Sequence, residues 1–189
     1  MSLINAILEQ LLNGLRTGSI YALIALGYTM VYGILRLINF AHGDIFMMSM
    51  YFAFYAISVF YLPWYIAVVL VILATGLLGV IIERCAYKPL REAPRISLMI
   101  SSIGVSYLLE NLAIVLFTGI QNNFPSIPLF QDIITIGSIR MQRLTILVPI
   151  ITAVIAVVLL YLINHTKTGL AMRAASKDLE AAKLMGINI

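Results

Sequence analysis

The residues of this 189-residue chain whose types could do chemistry are few, and most fall in two stretches. The first is Asn39-Phe-Ala-His-Gly-Asp44, which places an amide, an imidazole and a carboxylate close together. The second is Glu110-Asn111, set near the middle of the otherwise apolar run Ser97–Gly119. Acid–base catalysis would need such groups to converge with a nucleophile or a metal ion. No Ser or Cys nucleophile sits with His42 and Asp44 in sequence, and the other histidine, His165, is far along the chain, so metal-ligand spacing is missing. No Gly-rich phosphate loop of the Walker type occurs, so ATP hydrolysis has no residues here. The one cysteine, Cys85, allows no internal disulfide and reads as a free thiol in a reducing compartment. We therefore expect no catalytic residues, no metal and no bound cofactor.

The elements that must hold these residues are apolar. The hydrophobic fraction is 62% and charged residues are 11%, against roughly 45–50% and about 25% in soluble domains. Lipid is the solvent that such a composition asks for. Five runs stand out, namely Ser19–Leu35, Ile45–Leu62, Trp64–Ile82, Ser97–Gly119 and Leu144–Ile163. At about 1.5 Å per residue, each crosses most of a hydrocarbon core about 30 Å thick. Helix is the conformation open to them, because an unpaired backbone group in lipid costs several kcal/mol. The expected fold class is all-α, a polytopic bundle of about five spans. The N-terminus lacks the pattern of a cleaved signal, since Glu9, Gln10 and Asn13 interrupt its first stretch.

Basic residues give the orientation. Arg84, Lys88, Arg91 and Arg95 lie in the loop Glu83–Ile96, and Lys167, Arg173, Lys177 and Lys183 lie after Ile163. Both places should be cytoplasmic, and two spans separate them, so the parity agrees. Ile120–Gln142 then faces outside, with Leu62–Pro63 also outside, Arg36–Asp44 toward the inside and the N-terminus outside. The net charge of +4 is a topology signal rather than a nucleic-acid one. In the outer segment, Pro125 and Pro128 exclude helix. Beyond them, Ile133–Ile136 and Ile139–Met141 flank Gly137-Ser138, a turn suited to a small hairpin.

Two readings stand for each chemical stretch. Asp44 could cap the run Ile45–Leu62, with Gly43 in a backbone conformation that other residues avoid. At membrane depth, Asn39–Asp44 would be the break of a discontinuous transporter helix. In water it would be a short cytoplasmic turn with a solvated histidine. Glu110 either lines a pathway or acts as a structural polar contact between helices. Gly14, Gly18 and Ala22 form a small-residue stripe, and Gly76 with Gly79 and Ser102 with Ser106 offer similar packing faces. In the tail, Ser176 or Asp178 can start a short cytoplasmic helix holding Glu180, Ala181 and Ala182, which Gly186 can end with φ > 0.

At that tail, Glu180-Ala181-Ala182 with Gly186 after three residues resembles the EAA motif of ABC importer permeases, and it follows Thr168–Ala174 directly after a span. Asn39–Asp44 and Gly104–Asn111 look like the corresponding stretches of the LivH-type, branched-chain amino acid branch, and the resemblance covers essentially the whole chain. It implies that residues 1–189 are the N-terminal part of one permease transmembrane domain, since such permeases run on for roughly a hundred further residues. It also implies a bacterial inner-membrane location and a second permease subunit. Cytoplasmic ATPase subunits would bind the ATP and seat on the coupling helix, and a periplasmic binding protein would deliver leucine, isoleucine or valine. Asn39, His42, Gly43, Asp44, Glu110 and Asn111 are then expected on the pathway, with Glu180, Ala181, Ala182 and Gly186 at the ATPase contact. Permeases for urea or short amides share this motif style. An ion-coupled transporter using Asp44 and Glu110 is the other alternative, one in which the EAA-like tail has no role.

Overall fold

A chain this apolar satisfies its backbone inside helices. The computed structural model describes residues 3–35, 38–91, 93–119, 123–125, 127, 132–136 and 139–186. It divides into two compact units, Met1–Arg36 with Ile127–Ile189, and Leu37–Ser126.

In the first unit, α1 (Leu3–Leu35) packs beside α5 (Arg143–His165), with a hairpin of β1 (Ile133–Ile136) and β2 (Ile139–Gln142) leading into α5. The strands pair antiparallel, with Ile133 opposite Gln142 and Ile136 opposite Ile139, which bears out the expected hairpin. Its Gly137-Ser138 turn lies outside the described residues, as do Asn122 and Pro128. At one end, Arg16 on α1 donates to Gln142 Oε1 at 3.0 Å. Further along, Thr152 Oγ1 meets the Ser19 carbonyl at 3.5 Å. At the other end, Met30 and Gly33 share a groove with Ile163, Met172 and Arg173. The two helices therefore run parallel. The Lys167, Arg173 and Lys177 end is cytoplasmic by the charge rule, so α1 begins outside, as the parity count expected.

After α5 the chain turns sharply into α6 (Lys167–Lys177) and then α7 (Leu179–Leu184). Thr166 caps α6, its hydroxyl accepting from the Gly169 N–H at 3.1 Å. Gly169 is buried against the last turn of α5, and a Cβ there would lie 2.3 Å from the Ile163 carbonyl oxygen. Only glycine fits that approach without backbone movement. Arg173 donates to the Asn164 carbonyl at 3.4 Å, placing a cation at the negative end of α5.

The second unit holds α2 (His42–Ser58), α3 (Trp64–Ile82) and α4 (Arg95–Phe117). α3 continues through a π turn, Glu83–Tyr87, and a 3-10 turn, Lys88–Leu90, so the expected basic loop is largely helical. Exposed Arg91 reaches back to Glu83 in an ion pair across that extension. α2 and α4 run parallel. Asp44 meets Ser106 near the start of α2, and further along α2 Tyr51 stacks on Phe117, the last residue of α4, with centroids 4.6 Å apart. α3 returns antiparallel, its Leu70 and Ala74 beside Phe52 and Tyr55, and its far end reaching Asn39. Buried Ala41, Met48, Ile82, Val105, Leu109 and Ala113 form the core. Trp64 and Tyr65, packed edge to face at the start of α3, sit where an outer aromatic belt belongs.

The fold class is all-α and membrane-spanning. By length and composition, Trp64–Leu90, Ile96–Phe117 and Arg143–His165 are long and apolar enough to cross a membrane. Of the most apolar window of α5, only 6% is buried, which leaves its surface for lipid. The first and second expected spans differ in bounds. α1 starts at Leu3 rather than Ser19 and its 33 residues reach about 50 Å, because Glu9, Gln10 and Arg16 interrupt apolarity without opposing helix. α2 has 17 residues, about 25 Å, and starts three residues before the expected Ile45. Among the described residues, the glycines of the small-residue stripes do not mark close approaches. A Cβ on Gly14, Gly18, Gly76 or Gly79 meets nothing within 4 Å. The Ser102–Ser106 face does carry contacts, described next.

Candidate functional site

The stretch before α2 is a short break, Ile38 to Ala41, whose polar groups are met one by one. Asn39 Oδ1 accepts from the Ala41 N–H at 3.1 Å and from the Tyr87 hydroxyl at 2.8 Å. The His42 N–H donates to the Asn39 carbonyl at 3.3 Å, and the Phe40 N–H donates to Ser102 Oγ at 3.4 Å. One turn further, Ser106 Oγ donates to Asp44 Oδ2. Ala41 is fully buried at the centre of these contacts.

The partners on α4 set the depth. Ser102 lies seven residues past Arg95, about 10 Å along the helix axis, and Ser106 eleven residues, about 16 Å, in a helix about 34 Å long. The carboxylate of Asp44 is therefore level with the middle of an apolar span. Within this unit, the start of α2 is thus level with the apolar part of α4 rather than with its basic end. At that depth bonds within the protein matter more, and the Phe40 and Ala41 N–H groups both have them.

Two local expectations are corrected. Asp44 does not cap α2, for the cap position is Ala41 and no side chain fills the role. Asp44 sits in the first turn, where its charge suits the positive end of the helix, and its oxygen is engaged by α4. Gly43 is an ordinary helical residue. Among the described residues Gly186 is the one glycine with positive φ, and a Cβ on Gly43 would meet nothing within 4 Å. The glycine leaves space beside the break rather than supplying a special backbone conformation.

The structure brings Asn39, His42, Gly43 and Asp44 together and leaves Glu110 and Asn111 apart from them. The buried stripe of α4 runs Leu98, Ser102, Val105, Leu109, Ala113. Glu110 is rotated about 100° from Leu109 and is exposed. Asn111, also exposed, donates from its side chain to the Tyr107 carbonyl at 2.7 Å.

In the tail, Asp178 is the residue that starts the short helix, its Oδ1 accepting from the Ala181 N–H at 3.1 Å. Gly186, with φ +80°, follows its end as expected. Glu180 lies within α7. Ala181 is exposed, whereas Ala182 is 4% exposed, so it is Ala181 that this chain leaves open to a second surface. Sequence reasoning did not single out Tyr87 or Gly169, and it read Arg173 only as a topology charge. A tyrosine among basic residues and a glycine three positions after a capping threonine were the available signals.

Comparison with known proteins gives a consistent picture. The family model described as "Branched-chain amino acid transport system / permease component" matches residues 10–189. BraD of Pseudomonas aeruginosa, a high-affinity branched-chain amino acid transport system permease protein, is 37% identical over 192 residues, covering 96% of this chain and 62% of that protein. The LivH proteins of Salmonella typhimurium and Escherichia coli K12, which carry the same description, are 36% identical over 195 residues with the same coverage. The chain thus spans about 62% of the length of these curated relatives. No solved structure matches.

Proposed function

Because this chain belongs to the permease-component family of branched-chain amino acid transport systems, we propose that it forms part of the translocation pathway of an ATP-driven importer. Its cargo is leucine, isoleucine or valine, and its location is the cytoplasmic membrane of a bacterium. The observation that carries this reading is the break at Ile38–Ala41. An interruption about a third of the way along a span from its basic end, with its Phe40 and Ala41 N–H groups bonded and a carboxylate in the first turn that follows, is the kind of irregular backbone that membranes admit beside a cargo path.

ATP is bound and hydrolysed by separate cytoplasmic subunits, a second permease subunit completes the path, and a periplasmic binding protein delivers the cargo. Support for the ATPase contact comes from the tail. α7 is short, capped by Asp178, ended by Gly186, and it follows the elbow at Gly169 that ties it to α5. ATP binding in the partner would move this segment and shift the path between two states.

The test is uptake by vesicles holding the assembled transporter. Labelled leucine should enter only with ATP and the binding protein, with isoleucine and valine competing and urea not. Uptake driven by an ion gradient without ATP, or blocked by urea, would replace this reading. Gly186→Val should lower recovery of the ATPase in a detergent pull-down while insertion stays normal, because a branched side chain is strained there by about 1 kcal/mol or more.

A further inference from the structure

We propose that Tyr87 and Ser102 are positioning residues of the pathway, holding the Ile38–Ala41 break in place from two other helices. The inference rests on the proposed reading of the break as part of the path, and it adds two residues that were not placed on that path, Tyr87 and a serine first read only as a packing contact. Tyr87 ends the π turn that continues α3, and its hydroxyl reaches Asn39 Oδ1 at 2.8 Å. The same Asn39 oxygen accepts the Ala41 N–H at 3.1 Å. Asn39 thereby links the α3 extension to the residue at the cap position of α2. Ser102 Oγ accepts from the Phe40 N–H at 3.4 Å and its O–H donates to the Met99 carbonyl at 2.8 Å. Ser102 is 2% exposed, so its hydroxyl is held inside the unit, and removing it takes away the bond to the Phe40 N–H.

The consequence concerns how α2 is started. No side chain caps it and its cap residue is an alanine. A helix begun without a local cap and packed at membrane depth depends on bonds made from elsewhere. Tyr87 and Ser102 anchor the two residues just before its cap, Asn39 and Phe40, from positions 48 and 62 residues away in sequence. Tyr87 lies in the basic extension of α3, so a movement of that extension would pull on Asn39 directly. The two residues touch no cargo. They set where His42, Gly43 and Asp44 stand.

The experiment uses the full transporter with Cys85→Ala and a single reporter, Gly43→Cys, which has open space for its side chain. The rate of labelling by a membrane-impermeant maleimide reads how firmly the break is held, with no dependence on cargo. Tyr87→Phe keeps the ring and removes the bond to Asn39. It should raise the labelling rate about five-fold, the effect of losing one hydrogen bond. Ser102→Ala should do the same and Ser102→Thr, which keeps a hydroxyl, should restore the original rate. In an Asn39→Ala background Tyr87→Phe should add nothing, because its effect passes through Asn39. An unchanged labelling rate in Tyr87→Phe and Ser102→Ala, or a full Tyr87→Phe effect in the Asn39→Ala background, overturns the proposal. Uptake measured alongside separates the two claims. A transporter that carries no branched-chain amino acid defeats the pathway reading, whereas the labelling rates decide the positioning of the break.

Discussion

A carboxylate level with the middle of a lipid-spanning helix must be neutral, paired or near water, since an ionised group there costs a few kcal/mol on insertion scales. Asp44 meets that demand with the Ser106 hydroxyl and with the positive end of α2, in whose first turn it sits. Beside it, Gly43 keeps a helical backbone and open space. This separates strain from obstruction. Gly43→Leu should leave thermal stability of the solubilised protein unchanged or slightly raised, since Leu exceeds Gly in helix propensity by about 0.8 kcal/mol. Uptake by the assembled transporter should nevertheless fall several-fold, because the side chain fills the space beside the break. A melting temperature that drops together with uptake would mean the glycine is needed by the fold instead.

At the scale of elements, α5, α6 and α7 form a jointed connection whose geometry rests on one glycine. An added Cβ at Gly169 would fall 2.3 Å from the Ile163 oxygen and 2.4 Å from that of Leu162. Gly169→Ala should therefore destabilise the protein by about 1–3 kcal/mol, the usual range for overpacking. Gly14→Ala, where a Cβ meets nothing within 4 Å, should be neutral or stabilising. Thermal unfolding of both variants in one detergent checks the contrast, and equal losses would remove the elbow from the account. The same elements show what the sequence makes legible. The Asp178 cap and the positive φ of Gly186 were readable because each is a contact between near neighbours in sequence. The start of α2 was misplaced because Tyr87 and Ser102 fix it from distant positions, which no local pattern records. The Glu83–Ile96 stretch was read as a loop from its charges. Charge reports depth in the membrane, and nothing in Glu83–Lys88 opposes a helical turn. The Gly14, Gly18, Ala22 spacing proved uninformative, since spacing states which side chains share a face but not whether a neighbour comes close.

Across the whole molecule, the apolar runs made the membrane class legible before any contact was known, because it follows from solvent rather than from packing, and the two basic clusters gave an expected orientation. The two units carry the orientation independently. In one, Arg16 joins Gln142 at the end opposite Lys167, Arg173 and Lys177. In the other, the break lies toward the end of α3 that bears Arg84, Lys88 and Arg91. Single cysteines at Asn13 and Gln142 should thus label only from outside, and those at Arg91 and Lys177 only from the cytoplasm. Labelling of Asn13 and Lys177 from the same side would break the parallel course of α1 and α5.

The break at membrane depth remains the centre of the account, and depth is directly measurable. A nitroxide on Gly43→Cys, in the full transporter reconstituted in lipid, reports its immersion through the ratio of collisions with oxygen and with a water-soluble nickel complex. The structure predicts a site about 10–16 Å along the span from the cytoplasmic end of α4, with oxygen access well above that of a label at Arg91. If the two labels give the same ratio, the stretch Asn39–Asp44 is a turn in water, and the pathway built on it is wrong.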